Sequence, residues 1–225
     1  MVSVCMATYN GEKYIIEQIR SILSQLQSYD ELIISDDGST DNTIRIIKSI
    51  PDARIKLFQN SFKNVVKNFE FSISQSVGDY IFLSDQDDLW HPKKVDHYLQ
   101  TFQASNADLI VSNVAFINAA GISQPEEFYK QGFKAGTWEN LKKNNFIGCA
   151  MAFKKHTKQW FLPFPEKIPM HDWWIGLVIG KKGTIKYIEE KLIFYRRHDH
   201  NVTSGKKSTF ANIISWRWLI IKNLF

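Results

Sequence analysis

Short apolar runs alternate with longer amphipathic segments over the first hundred residues of the chain. The runs have the length and the polar boundaries of buried strands, and they cover Val2–Ala7, Leu32–Ser35, Ile55–Phe58 and Tyr80–Leu83. Between the runs, apolar residues recur every three or four positions, which predicts helices that begin near Tyr14, Thr40, Val65 and Pro92. Strands and helices that alternate in this way predict an α/β fold with a mostly parallel central sheet flanked by helices.

The pattern is less regular after residue 105. It predicts strands at Leu109–Ile117 and Phe146–Phe153, and a short helix at Asp172–Ile179. Two further strands, Thr184–Ile188 and Leu192–Arg197, are predicted on either side of a charged turn at 189–191. Residues 122–145 have no clear period and predict a surface loop with a short helix near Trp138. The apolar stretch from Phe210 predicts a helix that packs on its own domain, on another copy of the chain or on a membrane surface.

Composition narrows the possible functions. With 225 residues and 44% hydrophobic content, the chain can form one good core. Its net charge of +5 suits an anionic ligand or membrane surface, but the basic residues form no block of the kind that binds nucleic acid. Cys5 and Cys149 lie in apolar strands and are expected to be buried thiols. The first strand begins at Val2 without a signal peptide and no apolar stretch reaches membrane-spanning length, which predicts a cytoplasmic protein.

Acidic clusters follow two of the predicted parallel strands. Asp85, Asp87 and Asp88 come after the strand at Tyr80, and Asp36 and Asp37 come after the second strand. Ligands of open α/β sheets bind beyond the carboxyl ends of such strands. Three carboxylates within four residues repel one another, and a divalent cation bridging to a phosphate would offset that repulsion. A solvated turn or a helix cap remains the alternative for each cluster.

The end of the first strand is a candidate nucleotide cradle. There, the string Thr8-Tyr9-Asn10-Gly11 offers backbone amides and an aromatic ring before a helix begins. It is not a phosphate-binding loop of the glycine-rich type, because the lysine and the repeated glycines of that motif are missing.

Four strings in the chain together resemble the inverting family 2 glycosyltransferases of the GT-A fold. They are "VSVCMATYNGEKYIIEQIRSILSQ", "DELIISDDGSTDNT", "GDYIFLSDQDDLWHPKKV" and "HDWWIGLVIGKKGTIKYIEEKLIFYRRHDHNVTSG". The resemblance extends from residue 2 to about residue 205 and is strongest to the rhamnosyltransferase-like branch that builds bacterial surface polysaccharides. It implies a single Rossmann-like GT-A domain at 1–205, with a nucleotide-binding half at about 1–105, an acceptor half at about 106–205, and an apolar helical tail at 206–225.

The resemblance also implies roles for individual residues. It places Thr8, Tyr9, Asp37 and Asp85 at the nucleotide and ribose, and fold analogy adds Lys63 and Asn68 to the donor site. Asp87 is the expected metal ligand, with His198 as a second ligand or a phosphate contact. Asp172 is the expected general base. The acceptor side is expected to include Gly148, His171 and Trp173, and Arg196 and Arg197 are candidate donors to the diphosphate.

The implied activity is a metal-dependent, inverting transfer that uses Mn²⁺ or Mg²⁺. The expected donor is dTDP-rhamnose or a UDP-hexose, and the expected acceptor is a glycan or a lipid-linked oligosaccharide. The tail implies peripheral contact with the inner face of the plasma membrane or a homo-oligomer. Two alternatives stay open: a sugar-phosphate nucleotidyltransferase, which would need a basic glycine-rich first loop, and a catalytically silent module that binds nucleotide sugars.

Overall fold

A computed structural model describes residues 1–129, 132–199, 201 and 210–224. The strands within these residues are β1 Val2–Thr8, β2 Glu31–Asp36, β3 Ile55–Gln59, β4 Tyr80–Ser84, β5 Leu89–Trp90, β6 Leu109–Asn118, β7 Ser123–Glu127, β8 Met151–Lys154 and β9 Ile185–Arg197. The α-helices are α1 Ile15–Leu23, α2 Thr43–Lys48, α3 Val65–Gln75, α4 Lys94–Ser105, α5 Thr137–Lys142, α6 Lys158–Phe161, α7 His171–Lys182 and α8 Phe210–Leu224.

One sheet runs through the whole fold in the order β3-β2-β1-β4-β8-β6-β9-β5, with β7 paired to β6. The first four strands are parallel, as the sequence predicts. In the second half, β6 and β9 are parallel over a long stretch, whereas β8, β7 and β5 are antiparallel to their neighbours. The sheet is therefore mostly parallel, and the carboxyl ends of β1, β2 and β4 share one edge.

Helices on both faces bury the central strands completely. Every residue of β1 and β2 is buried, which explains why these strands are apolar without a two-residue alternation. Helix α1 presents Ile15, Ile19 and Ile22 to this core, at the spacing of one helix face. Each such buried side chain contributes roughly 1.5–3 kcal/mol of hydrophobic stabilisation. The core lies directly beneath the sheet edge that carries the acidic loops.

The predicted strand at Phe146–Phe153 is wrong in its first half. Residues Gly148–Ala150 form a 3₁₀ turn, and β8 begins only at Met151. The carbonyl oxygens of Cys149 and Ala150 accept hydrogen bonds from the side chains of Lys94 and Tyr98, so they are not available to a neighbouring strand. Long-range side-chain contacts decide the backbone here, and the local apolar pattern cannot show them.

Two other predictions for the second half also change. The turn at Glu189–Lys191 is instead an irregularity within one continuous strand β9, whose register with β6 shifts from Ile188 to Lys191. The predicted loop at 122–145 contains β7 as well as the expected short helix, α5. Both differences arise from pairing with the long strand β6. Strand β9 continues along β6 through the irregularity, and β7 pairs with the second half of β6.

The C-terminal helix packs on its own domain. Ile220 and Leu224 are buried, and Lys181 Nζ donates to the carbonyl oxygen of Leu224 at 2.5 Å. Arg217 Nε donates to the carbonyl oxygen of Leu141 at 2.8 Å. The predicted tail also includes 206–209 and 225, which lie outside the described residues. Across the part of the chain that the structure describes, no helix has the length and hydropathy to span a membrane.

Candidate active site

Asp36 organises the loop that follows β2. Its carboxylate accepts hydrogen bonds from the Thr8 hydroxyl at 2.9 Å, the Gly38 amide at 3.1 Å and the Ser39 amide at 2.8 Å. Gly38 has a φ of +82°, which a glycine adopts without strain. The Thr8 side chain is therefore buried and stabilises the loop after β2. Tyr9 beside it is 56% exposed at the end of the strand. Of this pair, Tyr9 is the residue whose side chain can reach a ligand.

Asp37 sits in a niche formed by the loop before α3. Its two carboxylate oxygens each accept one backbone hydrogen bond at 2.8 Å, from the amides of Lys63 and Asn64. The residue is only 7% exposed. Each carboxylate oxygen still has capacity for a second donor such as a ring N–H. Lys63 adopts a positive φ of 52°, and its exposed side chain is free of the Asp37 contact, which uses only its backbone.

Asn68 has a structural role, and its predicted contact with the donor is not supported by its placement. The side chain is buried on α3 and accepts a hydrogen bond from the Ser35 hydroxyl at 2.5 Å. Its amide nitrogen donates to the carbonyl oxygens of Ser35 at 2.8 Å and Thr8 at 3.4 Å. Asn68 thus ties α3 to the ends of β1 and β2 from behind the sheet edge.

Gln86 joins the loops after β1 and β4, a contact that sequence reasoning missed. Its side-chain amide both accepts from the Tyr9 amide and donates to the Tyr9 carbonyl oxygen, each at 3.0 Å. A side chain on Gly11 would overlap the Gln86 amide group, so this close approach requires glycine. Gln18 of α1 holds the same acidic loop by donating to Ser84 Oγ at 2.8 Å. A glutamine between aspartates, such as Gln86, has no sequence pattern that would predict this contact with the loop after β1.

The structure brings the predicted metal ligands Asp87 and His198 together. His198 Nε2 lies 2.8 Å from Asp87 Oδ2, and both side chains are largely buried. Asn201, which sequence reasoning did not single out, accepts from the His198 amide at 2.6 Å and donates to Asp87 Oδ2 at 3.4 Å. The segment that follows β9 therefore contacts the acidic loop through His198 and Asn201.

Arg196 anchors the acidic loop rather than facing a ligand. It is buried, and its guanidinium donates to the carbonyl oxygen of Asp87 at 2.8 Å and to Glu17 at 2.9 Å. Its backbone amide donates to Asp88 Oδ1 at 2.9 Å. Arg197 is occupied by an ion pair with Glu126 and by the ring of Phe116. The prediction that these arginines donate to a diphosphate is therefore not supported.

A buried charge cluster lies beneath the acidic loop. Ligand atoms of Asp85, Asp88 and Cys149 lie within 4.8 Å of one another. Burial raises the pKa of Asp88 to about 7, and burial together with the charges of Asp88, Asp87 and Asp172 raises the pKa of Asp85 well above its usual range. Lys94 is fully buried beside them, and burial lowers its pKa to about 7. Asp85 is thus the member of the acidic loop whose pKa is also raised by the charge of Asp172.

Asp172 is the second residue of α7 and lies in its first turn. Its Oδ1 accepts from the Trp173 amide at 2.6 Å, and its Oδ2 accepts from the Gly148 amide at 3.2 Å. Burial raises its pKa to about 6, although these two amides act to lower the pKa. A carboxylate with this pKa is ionised at neutral pH yet basic enough to accept a proton.

His171 and Trp173 do not face an acceptor in this structure. The His171 ring is buried and stacks on Phe69 at 3.8 Å between centroids, and burial lowers its pKa to about 3. Neither ring nitrogen has a hydrogen-bond partner among the described residues. Trp173 is 7% exposed and donates from Nε1 to the carbonyl oxygen of Asn140 at 2.8 Å, which makes it a core residue. The placement of Trp173 does not support its predicted acceptor contact, whereas Gly148 lies beside His171 and Asp172.

The donor set of the site fits a hard divalent cation. Asp87 supplies a carboxylate oxygen, the ligand type that manganese and magnesium prefer, and His198 Nε2 lies 2.8 Å from that carboxylate. The buried Asp88 Oδ2 has no partner within the described part of the chain. Lys94 and Arg196 offset part of the negative charge of Asp85, Asp87 and Asp88, and the remainder is a further reason for a cation to bind here.

Comparisons with known proteins agree with this geometry. A model of "Glycosyl transferase family 2" matches residues 3–161. The dTDP-rhamnosyl transferase RfbG of Shigella flexneri is 30% identical over 219 residues, covering 87% of this chain and 72% of that protein. The Escherichia coli protein WfgD, a UDP-Glc:alpha-D-GlcNAc-diphosphoundecaprenol beta-1,3-glucosyltransferase, is 28% identical, covering 92% of this chain and 81% of that protein.

Solved structures share the fold. S. aureus TarS 1-349 in complex with UDP-GlcNAc superimposes with a TM-score of 0.79 at 18% identity, covering 99% of this chain and 66% of the solved chain. The mannosyltransferase PcManGT from Pyrobaculum calidifontis, in complex with GDP-Man and Mn2+, has a TM-score of 0.65 at 16% identity, covering 90% of this chain and 58% of that chain. With a GT-A fold, a family model that spans most of its length and a 30% identical relative, the chain belongs to glycosyl transferase family 2.

Proposed function

We propose that this protein is a metal-dependent, inverting glycosyltransferase that moves a sugar from a nucleoside diphosphate sugar to a hydroxyl group of a glycan. The observation that carries the proposal is a pair of acidic groups in different environments. Asp87 contacts His198 in the loop after β4, where a donor diphosphate would lie. Asp172 lies on α7, accepts hydrogen bonds from the amides of Gly148 and Trp173, and has its pKa raised to about 6 by burial. The environment of Asp87 suits cation binding, and the environment of Asp172 suits a general base.

The donor site is formed by the tips of β1, β2 and β4. Tyr9 offers an exposed ring to the nucleotide, and Asp37 offers its remaining acceptor capacity to the N–H of a uracil or thymine. Thr8 supports this site through Asp36. We assign the ribose to Asp85 and a phosphate to the exposed side chain of Lys63. A divalent cation, Mn²⁺ or Mg²⁺, held by Asp87 with His198 would stabilise the negative charge that develops on the departing diphosphate.

The transfer itself needs one base. The acceptor hydroxyl gives its proton to the Asp172 carboxylate while its oxygen forms a bond to the anomeric carbon. The bond from that carbon to the diphosphate oxygen breaks, and the electron pair leaves with the nucleoside diphosphate. Because the oxygen attacks the face opposite to the leaving group, a single displacement inverts the anomeric configuration. A silent nucleotide-sugar-binding module would have no use for a base with a raised pKa.

The relatives indicate the substrate class. RfbG is named as a dTDP-rhamnosyl transferase, and WfgD is named as a transferase from UDP-Glc to a diphosphoundecaprenol-linked sugar. We infer a donor of the dTDP-rhamnose or UDP-hexose class and a glycan or lipid-linked oligosaccharide acceptor, in surface polysaccharide assembly on the cytoplasmic side of the membrane. A carboxylate such as Asp37 would accept the ring N–H of either uracil or thymine, so it is compatible with both bases.

The proposal is tested by nucleotide-sugar binding and turnover. Thermal shifts with dTDP-rhamnose, UDP-glucose and UDP-N-acetylglucosamine should appear with Mn²⁺ and disappear with EDTA, because ligands selective for the folded state raise its midpoint. Asp87→Ala should remove the shift, whereas Asp96→Asn, an exposed acid on α4, should retain it. Asp172→Asn should retain binding and lower turnover about a hundredfold or more. Binding that ignores the metal, or a product with retained configuration by NMR, refutes the proposal.

The outer face of α8 fits peripheral contact with a lipid surface. Trp218 is 65% exposed and Ile214 is 52% exposed, while the opposite face is packed on the domain. A lipid-linked acceptor would bring the protein to such a surface. Trp218→Ser should lower co-sedimentation with phosphatidylglycerol vesicles without lowering thermal stability. Unchanged sedimentation, or a change in oligomer mass by light scattering, would contradict lipid contact and favour a second copy of the chain.

A further inference from the structure

We propose that Lys94 and Tyr98 of α4 are positioning residues for the base Asp172, acting through the 3₁₀ turn Gly148–Ala150. The inference rests on the proposed function, because it presumes that Asp172 is the base.

The two residues hold consecutive carbonyl groups of the turn. Lys94 Nζ donates to the carbonyl oxygen of Cys149 at 2.6 Å, and the Tyr98 hydroxyl donates to the carbonyl oxygen of Ala150 at 2.7 Å. Lys94 and Tyr98 are four positions apart on α4 and thus face the same direction. Both are fully buried, so water cannot replace either donor. The Tyr98 hydroxyl in turn accepts from the Ser112 amide at 3.1 Å, which fixes its orientation.

The turn delivers one of the two hydrogen bonds that orient the Asp172 carboxylate. The Gly148 amide donates to Asp172 Oδ2 at 3.2 Å, and the other bond comes from the adjacent Trp173 amide. A Cβ atom on Gly148 would lie 2.9 Å from His171 Nε2, so the turn already packs closely against the start of α7. A small shift of the turn would therefore move or release the carboxylate.

The choice of a lysine at this position needs an explanation beyond packing. Burying an ammonium group is costly, and an apolar side chain of similar length would be the less expensive way to fill the space. The group is stabilised by the Trp90 ring, whose centroid lies 4.0 Å from Nζ, and by the neighbouring carboxylates of Asp85 and Asp88. A charge-assisted bond to a carbonyl holds that carbonyl more firmly than a neutral donor would. Lys94 thus connects the acidic loop on the donor side with the turn on the acceptor side.

The experiment compares Lys94→Met and Tyr98→Phe with the wild-type chain. Lys158→Met is the matched control, because Lys158 also donates to backbone carbonyl oxygens, those of Ser76 at 2.8 Å and Ser74 at 3.3 Å, but does so at the opposite end of β4. Turnover is measured as nucleoside diphosphate release from whichever of dTDP-rhamnose, UDP-glucose and UDP-N-acetylglucosamine the wild type uses fastest. A synthetic α-GlcNAc-diphospholipid serves as acceptor, with water as the reference acceptor.

The expected result is a fall in kcat of about 10- to 100-fold in both α4 variants, the scale that a misplacement of about 1 Å produces. The Kd for UDP or dTDP with Mn²⁺ should stay within about threefold of wild type, and the control should match wild type in both quantities. The double variant should lose less than the product of the single losses, because both residues act on one turn.

The pH profile supplies a readout that a general loss of stability would not move. The Gly148 amide lowers the pKa of Asp172, so a loosened turn should shift the acidic limb of kcat/KM to higher pH. Asp172 is also faced by Asp85 and Tyr129 and adjoins His171. Lys94→Met removes a charge that lowers the pKa of Asp85, so the profile of Tyr98→Phe is the one that isolates the turn. Tyr98→Phe changes no charge at neutral pH, and it carries the test alone if Lys94→Met does not fold.

Asp172→Asn, measured in parallel, separates the possible failures. If it loses turnover while folded Tyr98→Phe and Lys94→Met keep wild-type kcat and pH profiles, the positioning role is overturned and the proposed function stands. Equal losses of kcat and nucleotide affinity in the α4 variants would place their effect on the donor loop and overturn the inference. Full turnover by Asp172→Asn would remove the base, and with it both proposals.

Discussion

Replacing Asp172 by asparagine is expected to make the fold more stable at alkaline pH while it abolishes transfer. Burial raises the pKa of this carboxyl from 3.8 to about 6. A group whose pKa is higher in the folded state stabilises the protein when protonated, and that contribution is lost as the pH rises through the folded-state pKa. Above pH 6 the wild-type chain therefore holds an ionised carboxylate at a cost that the neutral amide avoids.

The size of the effect follows from the pKa difference and the hydrogen bonds. A rise of about two units corresponds to about 3 kcal/mol at pH 8. The asparagine amide must present either its oxygen or its NH₂ group to the Gly148 and Trp173 amides, and one mismatched contact costs about 1–2 kcal/mol. The net gain is about 1–2 kcal/mol, or about 2–8 °C in Tm for a chain of this length.

Urea unfolding and calorimetry at pH 8 and pH 4 measure this prediction. The advantage of Asp172→Asn should shrink by about 2 kcal/mol at pH 4, where the wild-type carboxyl is protonated in the folded state. Asp52→Asn is the control of opposite sign, because the Arg54 guanidinium lowers the pKa of Asp52. A variant that is less stable than wild type at pH 8, or whose advantage is the same at both pH values, would refute the reasoning.

Three further predictions concern the surroundings of the site. Gly11→Ala should weaken nucleotide binding about tenfold by calorimetry, because its methyl group displaces the Gln86 bridge; unchanged affinity would contradict that role. Arg196→Met should lower the free energy of unfolding by about 2–4 kcal/mol, because the carbonyl of Asp87 loses its buried donor and Asp88 loses a nearby positive charge. A smaller loss in urea unfolding would show that the acidic loop does not depend on Arg196. Cys149 should resist iodoacetamide at pH 7.5 in the native state and react in urea, because burial raises its pKa; native labelling detected by mass spectrometry would show that the cluster opens.

The sequence predicted the donor half well because its determinants are local. The apolar runs of β1 to β4 and the helix faces of α1 and α3 follow from residue spacing alone. The strand order then brings the acidic strings to one sheet edge without further information. Thr8 and Asn68 are placed as structural residues instead, because a buried polar side chain can serve the neighbouring loop or strands as well as a ligand.

The acceptor half depends on contacts between distant residues, and the sequence pattern does not contain them. The sequence predicts that Trp173 contacts the acceptor, but in the structure its indole N–H donates to the carbonyl oxygen of Asn140. Lys94 follows Pro92 and Lys93 at a helix start, where lysine usually faces solvent, yet it is fully buried. The turn at Gly148 reads as part of a strand because its partners, Lys94 and Tyr98, lie about 50 residues earlier.

The insertion of β8 between β4 and β6 has a consequence for how the polypeptide reaches its native state. Strand β4 is finished early in synthesis, but its second edge is covered only after residues 151–154 have emerged. A fragment that stops after the nucleotide-binding half would therefore display an unpaired apolar edge, which invites aggregation. The two halves are therefore expected to fold together. Exchanging one half between related enzymes would require a matching β4–β8 strand pair as well as a matching pocket.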